Sequence, residues 1–262
     1  MDKASWGGVV LGVSGIVGGL LLEGGRLSQV LQPTAALIVF GGTAGAVLIQ
    51  FPLPIVLSAL RQLVYVFFLR PHDPAGLVQQ LVRYANRARR EGIVSLDSEL
   101  EQIKEPFLKK SLMLAVDGTE PQELRALMEM EMENQAEYED KIPQVFESAG
   151  GFSPTIGIIG AVLGLIQVMQ HLDKIDEVGR GIAVAFVATI YGVGAANLLL
   201  LPAAGKLRFR IREEQILREM MLEGVVSILE GMNPRMLQEM LLGFLRETQP
   251  EPKPKARAAV AK

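Results

Sequence analysis

The chain has 262 residues, 49% of them hydrophobic, and a mean hydropathy of +0.29, more apolar than a soluble domain usually is and suited to a membrane protein. Its 26 basic and 29 acidic residues, with a pI near 5.6, leave no basic excess to hold nucleic acid phosphates, so nucleic acid is excluded as an expected partner. The absence of cysteine removes disulfides, thiolate metal sites and cysteine nucleophiles, and exported loops should therefore be short.

Four segments lack Asp, Glu, Lys, Arg and His over nearly the ~20 residues that a helix needs to cross a bilayer. They are Trp6–Leu22, Leu27–Leu60 with its span at Thr34–Phe51, Gly151–Gln170 and Gly181–Gly205. A signal-peptide core behind Lys3 competes for the first run, but Leu20-Leu21-Leu22-Glu23 carries no small-residue cleavage pattern. Pro52 and Pro54 end the second span, and Leu53–Leu69 predicts a short helix along the membrane surface with Arg61 and Arg70 towards water.

Beyond it, Asp73-Pro74 predicts a helix start, and Leu77, Leu81, Tyr84 and Ala88 follow at helical spacing until Gly92. Ser95 is expected to cap a short segment with Leu96, Leu100 and Ile103, followed by a helix from Pro106 to Val116 that stops at Gly118. Thr119 with Gln122 resembles a capping box opening a long acidic helix up to Gly150-Gly151. After Pro202, the positions Leu207, Ile211, Leu217, Met221, Val225 and Leu229 predict a second long helix, broken at Asn233-Pro234. Arg235–Arg246 reads as a short amphipathic helix.

The fold class is therefore all-α: an integral membrane protein with four transmembrane helices and a helical cytoplasmic domain. Residues 1–51 hold spans 1 and 2, and residues 52–150 the surface helix and cytoplasmic domain. Residues 151–202 hold spans 3 and 4, residues 203–248 the C-terminal helices, and 249–262 a Pro-, Lys- and Ala-rich tail expected to be disordered.

Basic residues near span ends stay on the cytoplasmic side. Glu23–Pro33 holds one, Arg26, and His171–Arg180 holds two, Lys174 and Arg180, whereas Pro52–Ala149 holds eleven and the stretch after Pro202 another eleven. Both termini and both large polar segments are thus expected in the cytoplasm. Small residues recur four apart within the spans at Gly8/Gly12, Gly15/Gly19, Gly41/Gly45, Gly160/Gly164 and Ala188/Gly192/Ala196. Such positions let helix backbones approach in lipid, either within one chain or between copies, and spacing does not separate the two.

No Walker loop, serine elbow or histidine-rich metal spacing occurs, so neither ATP chemistry nor a cofactor is expected and an enzyme is the weakest class. His72 and His171 lie at predicted membrane edges and read as interfacial polar residues. Within the spans the polar groups include Thr155, Gln167, Thr189, Tyr191 and Asn197, all uncharged at neutral pH. An ion pathway normally needs an ionisable group at membrane depth, so a conducting carboxylate would have to come from a partner chain. Charge gathers instead in the cytoplasmic domain, where Arg83, Arg87 and Arg90 repeat at helical spacing beside Arg89; a solvated helix face and a docking surface both fit.

Four stretches, in this order and on this topology, resemble the MotA/PomA stator subunits of the bacterial flagellar motor. They are Ala88 to Asp97 (ARREGIVSLD), Ser153 to Gly160 (SPTIGIIG), Ala183-Val184-Ala185 through Thr189-Ile190-Tyr191-Gly192 to Pro202, and Glu230 to Arg235 (EGMNPR). The resemblance covers nearly the whole chain and ends near Glu247. It implies a ring of five subunits around a dimer of a MotB-like partner, whose single span supplies the ion-binding Asp, and a push on the rotor protein FliG. Arg89 and Asp97 match the rotor-contact charges, with Asp97 standing where Glu is usual, so the charge survives with a shorter reach. Pro154 and Pro202 match prolines that bend spans 3 and 4, each freeing a backbone carbonyl. Pro154, Thr155, Ala161, Thr189 and Pro202 are accordingly expected on the ion path or in its coupling.

In sodium-driven relatives a threonine stands seven residues after the third-span proline, where this chain has Ala161; the fourth-span threonine is kept as Thr189. Loss of one oxygen ligand favours protons over sodium. The related ExbB/TolQ transducers, with three spans and an outside N-terminus, are the closest alternative, and a passive membrane scaffold is a further one. The expected site is the bacterial inner membrane.

Overall fold

The computed structural model describes residues 2–68 and 73–248; the expectations for Leu69, Arg70, His72 and the 249–262 tail lie outside the described residues. Every regular element among those residues is helical. The described residues form two compact units, one within 1–70 and 137–211 and the other within 71–136 and 212–248.

The first unit carries the four apolar helices. Helix α1 (Lys3–Leu22) starts where the Asp2 carboxylate accepts from the Ala4 N–H at 3.1 Å, and buries none of its residues. A short α2 (Leu27–Val30) leads to the second span, built from α3 (Pro33–Ala36), a π turn at Leu37–Gly41 and α4 (Gly42–Gln50). Helix α5 (Leu53–Phe67) follows Pro52 as expected, with Arg61 exposed. Its Val56, Ala59 and Val66 are buried in a cluster with Ile142, Val145, Phe146 and Ala149, and with Ala203, Ala204 and Leu207. The opposite side of α5 shows Leu53, Leu57, Leu60 and Val64. A helix apolar on two sides suits a membrane boundary better than open water.

The second unit begins with α6 (Pro74–Glu91), capped by Asp73 through the Gly76 N–H at 2.9 Å, and stops at Gly92, whose φ of +83° a side chain would resist. Ile93–Gln102 then forms a 3₁₀ helix that Ser95 does not cap as expected: the Ser95 hydroxyl donates back to the Gly92 carbonyl at 2.6 Å and receives no forward amide. Helix α7 (Pro106–Val116) has the expected bounds. Together with the first turns of α8 (Pro121–Gln170), the last turns of α10 (Leu201–Leu229) and α11 (Pro234–Thr248), these elements bury Leu81, Leu96, Leu108, Leu112, Leu124, Met128, Met220, Val225, Leu237 and Leu241. Each such side chain contributes about 1.5–3 kcal/mol by leaving water. The Asn233 side chain caps α11 through the Arg235 N–H at 3.0 Å.

Helices α8 and α10 contribute to both units. Because α8 starts at Pro121, Glu120 precedes the first helical residue, so Thr119 and Gln122 are one position out of register for the capping box. Nor does α8 stop at Gly150-Gly151. A Cβ at Gly150 would lie 2.6 Å from Leu201 Cδ2, so this glycine permits a close helix contact instead of ending the helix. The fourth span comprises α9 (Ile175–Ala195), a π turn at Ala196–Leu200 and the start of α10. The Leu201 N–H donates to the Ala196 carbonyl, five residues back, immediately before Pro202, which has no N–H to donate. The proline is thus absorbed by a shift of hydrogen-bond register without ending the helix.

Candidate functional site

The third and fourth spans meet backbone to backbone. A Cβ added at Gly157 would lie 2.9 Å from the Ala188 carbonyl oxygen, one at Gly164 2.7 Å from that of Gly181, and one at Gly192 2.5 Å from that of Ser153. Gly160 faces the Ala188 methyl in the same way, at 2.8 Å. The spacings Gly160/Gly164 and Ala188/Gly192 therefore serve contact within one chain. A Cβ added at Gly8, Gly15, Gly19 or Gly45 would meet no group of another element within 4 Å, which leaves these faces open to lipid or to other chains.

This contact positions the expected path residues. Pro154 Cα lies 3.2 Å from the Cβ position of Gly192, one turn along α9 from Thr189, and Thr189 Cα lies 3.5 Å from that of Gly157. Pro154 and Ala161, seven residues apart, share a stripe flanking the contact and are half-buried. Thr155 is not brought to Thr189: it lies about 200° round the helix from Ser153, which faces α9, and it is exposed. Its hydroxyl donates to the Phe152 carbonyl at 2.8 Å, and that of Thr189 to the Ala185 carbonyl at 3.2 Å. Each oxygen keeps lone pairs with which to accept a proton or meet a cation. Pro202 is exposed, directly beyond the π turn.

Tyr191 is held by the first loop. Its hydroxyl donates to the Val30 carbonyl at 2.5 Å and accepts from the Gln32 N–H at 3.3 Å, and its ring stacks on Phe40 at 5.9 Å. His171 bridges the loop between α8 and α9, with Nδ1 3.0 Å from the Gln167 carbonyl and Nε2 3.3 Å from Glu177. Buried hydroxyls at Thr43 and Ser153 have no partner among the described residues. No group of His, Asp and Glu among those residues could hold a metal ion. Sequence reasoning missed Ser153, Gly157 and Gly181 at this contact, although the spacing 153/157 follows the same small-residue pattern.

In the second unit, Arg89 and Asp97 are both exposed and pair with no other described residue. Arg87, expected on the same charged face, is used internally: it bonds Glu91 at 3.2 Å, pairs with Glu99 and reaches Ser98 Oγ at 3.2 Å. It thereby ties the 3₁₀ segment that carries Asp97 to the helix that carries Arg89. Elsewhere Arg125 forms a two-pronged pair with Glu223, one prong at 2.9 Å. The Arg125 hydrogen bond holds the Glu223 carboxyl below the usual carboxylate range, and the same bond raises the guanidinium further.

Residues 6–92 match the motility protein A N-terminal family, and residues 99–220 the MotA/TolQ/ExbB proton channel family. Motility protein A of Bacillus subtilis is 36% identical over 247 residues, covering 94% of this chain and 91% of the relative. The chain belongs to the MotA/PomA family of flagellar stator subunits. Chemotaxis protein PomA of Vibrio alginolyticus is 30% identical over 247 residues, 94% of this chain and 96% of that one. The solved flagellar MotAB stator complex from Bacillus subtilis matches with a TM-score of 0.86 at 36% identity, over 94% of this chain and 97% of that one. MotA-family membership makes the chain a multi-pass inner-membrane stator subunit, as its four apolar helices allow. Kinship with ExbB and TolQ extends only to the shared channel family.

Proposed function

We propose that five copies of the chain surround a dimer of a single-span, MotB-like partner, and that ion flow along the third and fourth spans turns this ring against the rotor protein FliG. One observation carries the reading. The third and fourth spans offer the Thr189 hydroxyl near their contact and that of Thr155 on the exposed side of α8, but residues 151–170 and 181–205 contain no charged side chain. The titrating carboxylate must then stand on the partner, facing the stripe of Pro154 and Ala161. No enzymatic step belongs to this function.

The ion pair between Asp2 and Lys206 at 2.7 Å puts the two ends of the four spans on one side of the membrane, as an even number of crossings requires, and the basic residues of 52–149 and of the stretch after Pro202 favour the cytoplasm as that side. Arg89 and Asp97 serve as the rotor surface, because they are free of partners among the described residues and are held in fixed relation through Arg87. Protons are the driving ion: Ala161 presents a methyl where a sodium path would use an oxygen. Each proton delivers about 2.3 kcal/mol per 100 mV.

Reconstituted in vesicles, the chain should leave a pH gradient intact when alone and dissipate it with its partner. Robust flux from the chain alone would overturn the assignment of the carboxylate. In cells, rotation should ignore external sodium and collapse with a protonophore; sodium-dependent rotation that survives the protonophore would overturn the choice of ion.

A further inference from the structure

A cluster of charges in the first unit serves neither the ion path nor the rotor surface. Asp2 is 6% exposed, and its Oδ2 lies 2.7 Å from Lys206 Nζ and 3.4 Å from an Arg210 nitrogen. Its backbone N–H donates to the Phe67 carbonyl at 3.0 Å. Arg210 donates to the carbonyls of Tyr65, Val66 at 3.2 Å and Phe68 at 3.3 Å. A helix leaves its last carbonyls without partners of its own. Those at the end of α5, from Tyr65 to Phe68, are satisfied by the start of α1 and by α10. Trp6 lies against Phe67, with ring centroids 5.3 Å apart.

Lys206 and Arg210 are one turn apart and share a face of α10, four and eight residues beyond Pro202. On the opposite face Arg208 pairs with Glu147 at 2.7 Å and Asp140 at 3.7 Å on α8. The stem of α10 is thus braced on two sides immediately after the π turn and proline, the point where the helix is weakest in bending. Both α8 and α10 run on from the span contact, and an unbraced stem of α10 would pivot at its π turn and lose its share of any motion generated there.

We propose that Asp2, Lys206 and Arg210 form a positioning clamp that makes the start of α1, the end of α5 and the stem of α10 move as one body in the working stator. Its motor readout rests on the stator function proposed above; the contact itself does not. Asp2→Asn and Lys206→Met are tested singly and together in the full chain, co-expressed with its partner in cells lacking their own stator. Each single variant should slow swimming in viscous medium by about threefold or more at unchanged membrane level, and the double should be no slower than the slower single, because the two losses share one interaction. Asp2→Glu should retain most of the speed. Wild-type speed in the singles, additive losses, or membrane level falling in step with speed would overturn the clamp.

A second measurement needs no rotation. The chain has no cysteine, so Trp6→Cys with Phe67→Cys can be joined by a short bis-maleimide against a clean background. Adding Asp2→Asn should cut the yield about threefold or more; an unchanged yield overturns the clamp. A chain that cross-links as expected but never supports rotation would instead place the fault with the stator function.

Discussion

Substitution of Gly164 by alanine tests whether the third and fourth spans depend on backbone contact. The added Cβ would lie 2.7 Å from the Gly181 carbonyl oxygen, 2.9 Å from Ala185 N and 3.2 Å from Ala185 Cα. All three are backbone atoms of α9 and cannot rotate aside, so the helices must separate. Overpacking of this kind costs about 1–3 kcal/mol. Alanine is also the better helix former by about 1 kcal/mol, which would mask part of the loss. Gly205→Ala removes that ambiguity: it gains the same propensity, but its Cβ meets nothing within 4 Å. The difference between the two variants should be about 1–3 kcal/mol, read as a thermal midpoint about 2–12 °C lower for Gly164→Ala in the purified assembly. Gly42→Ala should fall between them, since its nearest neighbours are atoms of the Ile156 side chain, the first at 2.8 Å, and that side chain can shift. Partner-dependent proton flux should fall with the Gly164 variant. A midpoint for Gly164→Ala at or above that of Gly205→Ala would refute the contact as a determinant of the fold.

Arg89→Glu should abolish most motility with membrane level unchanged, because an exposed charge costs under about 1 kcal/mol to replace; loss of the protein from the membrane would make the residue structural. Arg87→Ala should weaken motility less directly, through a loosened 3₁₀ segment, and limited proteolysis near Glu99 should report that loosening. Glu223 is held below its unfolded value of about 4.3. The stability from its pair with Arg125 is therefore complete above that pH and is lost as pH falls through the lowered folded value. Glu223→Gln should lower stability at pH 7, and its deficit should shrink steadily below about pH 4; a deficit independent of pH would remove the ion pair as its cause.

Much of this architecture could be read directly from the residues. Charge-free runs near twenty residues leave a membrane helix as the economical state, because unpaired backbone groups are not tolerated in lipid. Asp73-Pro74, Gly92, Gly118 and Asn233-Pro234 set element boundaries through backbone chemistry that acts within a few residues. Local signals failed where a neighbouring helix decided the outcome. Gly150-Gly151 looks like a break, yet Leu201 packs against Gly150 and α8 continues; Pro202 reads as a bend, and it is the π turn before it that carries the helix onward. Thr155 and Thr189 are both span hydroxyls, but only the helix phase set by the glycine contact separates their directions. Arg87 and Arg89 are equivalent as residues of a charged face, and it is Glu99, twelve residues from Arg87, that makes one structural and leaves the other without a partner among the described residues. Asp2 carries no local signal beyond that of a helix N-cap. Its role follows from Lys206 and Arg210 being some two hundred residues away in sequence and within 3.4 Å in space, a proximity created by the return of the fourth span and by nothing local to the first.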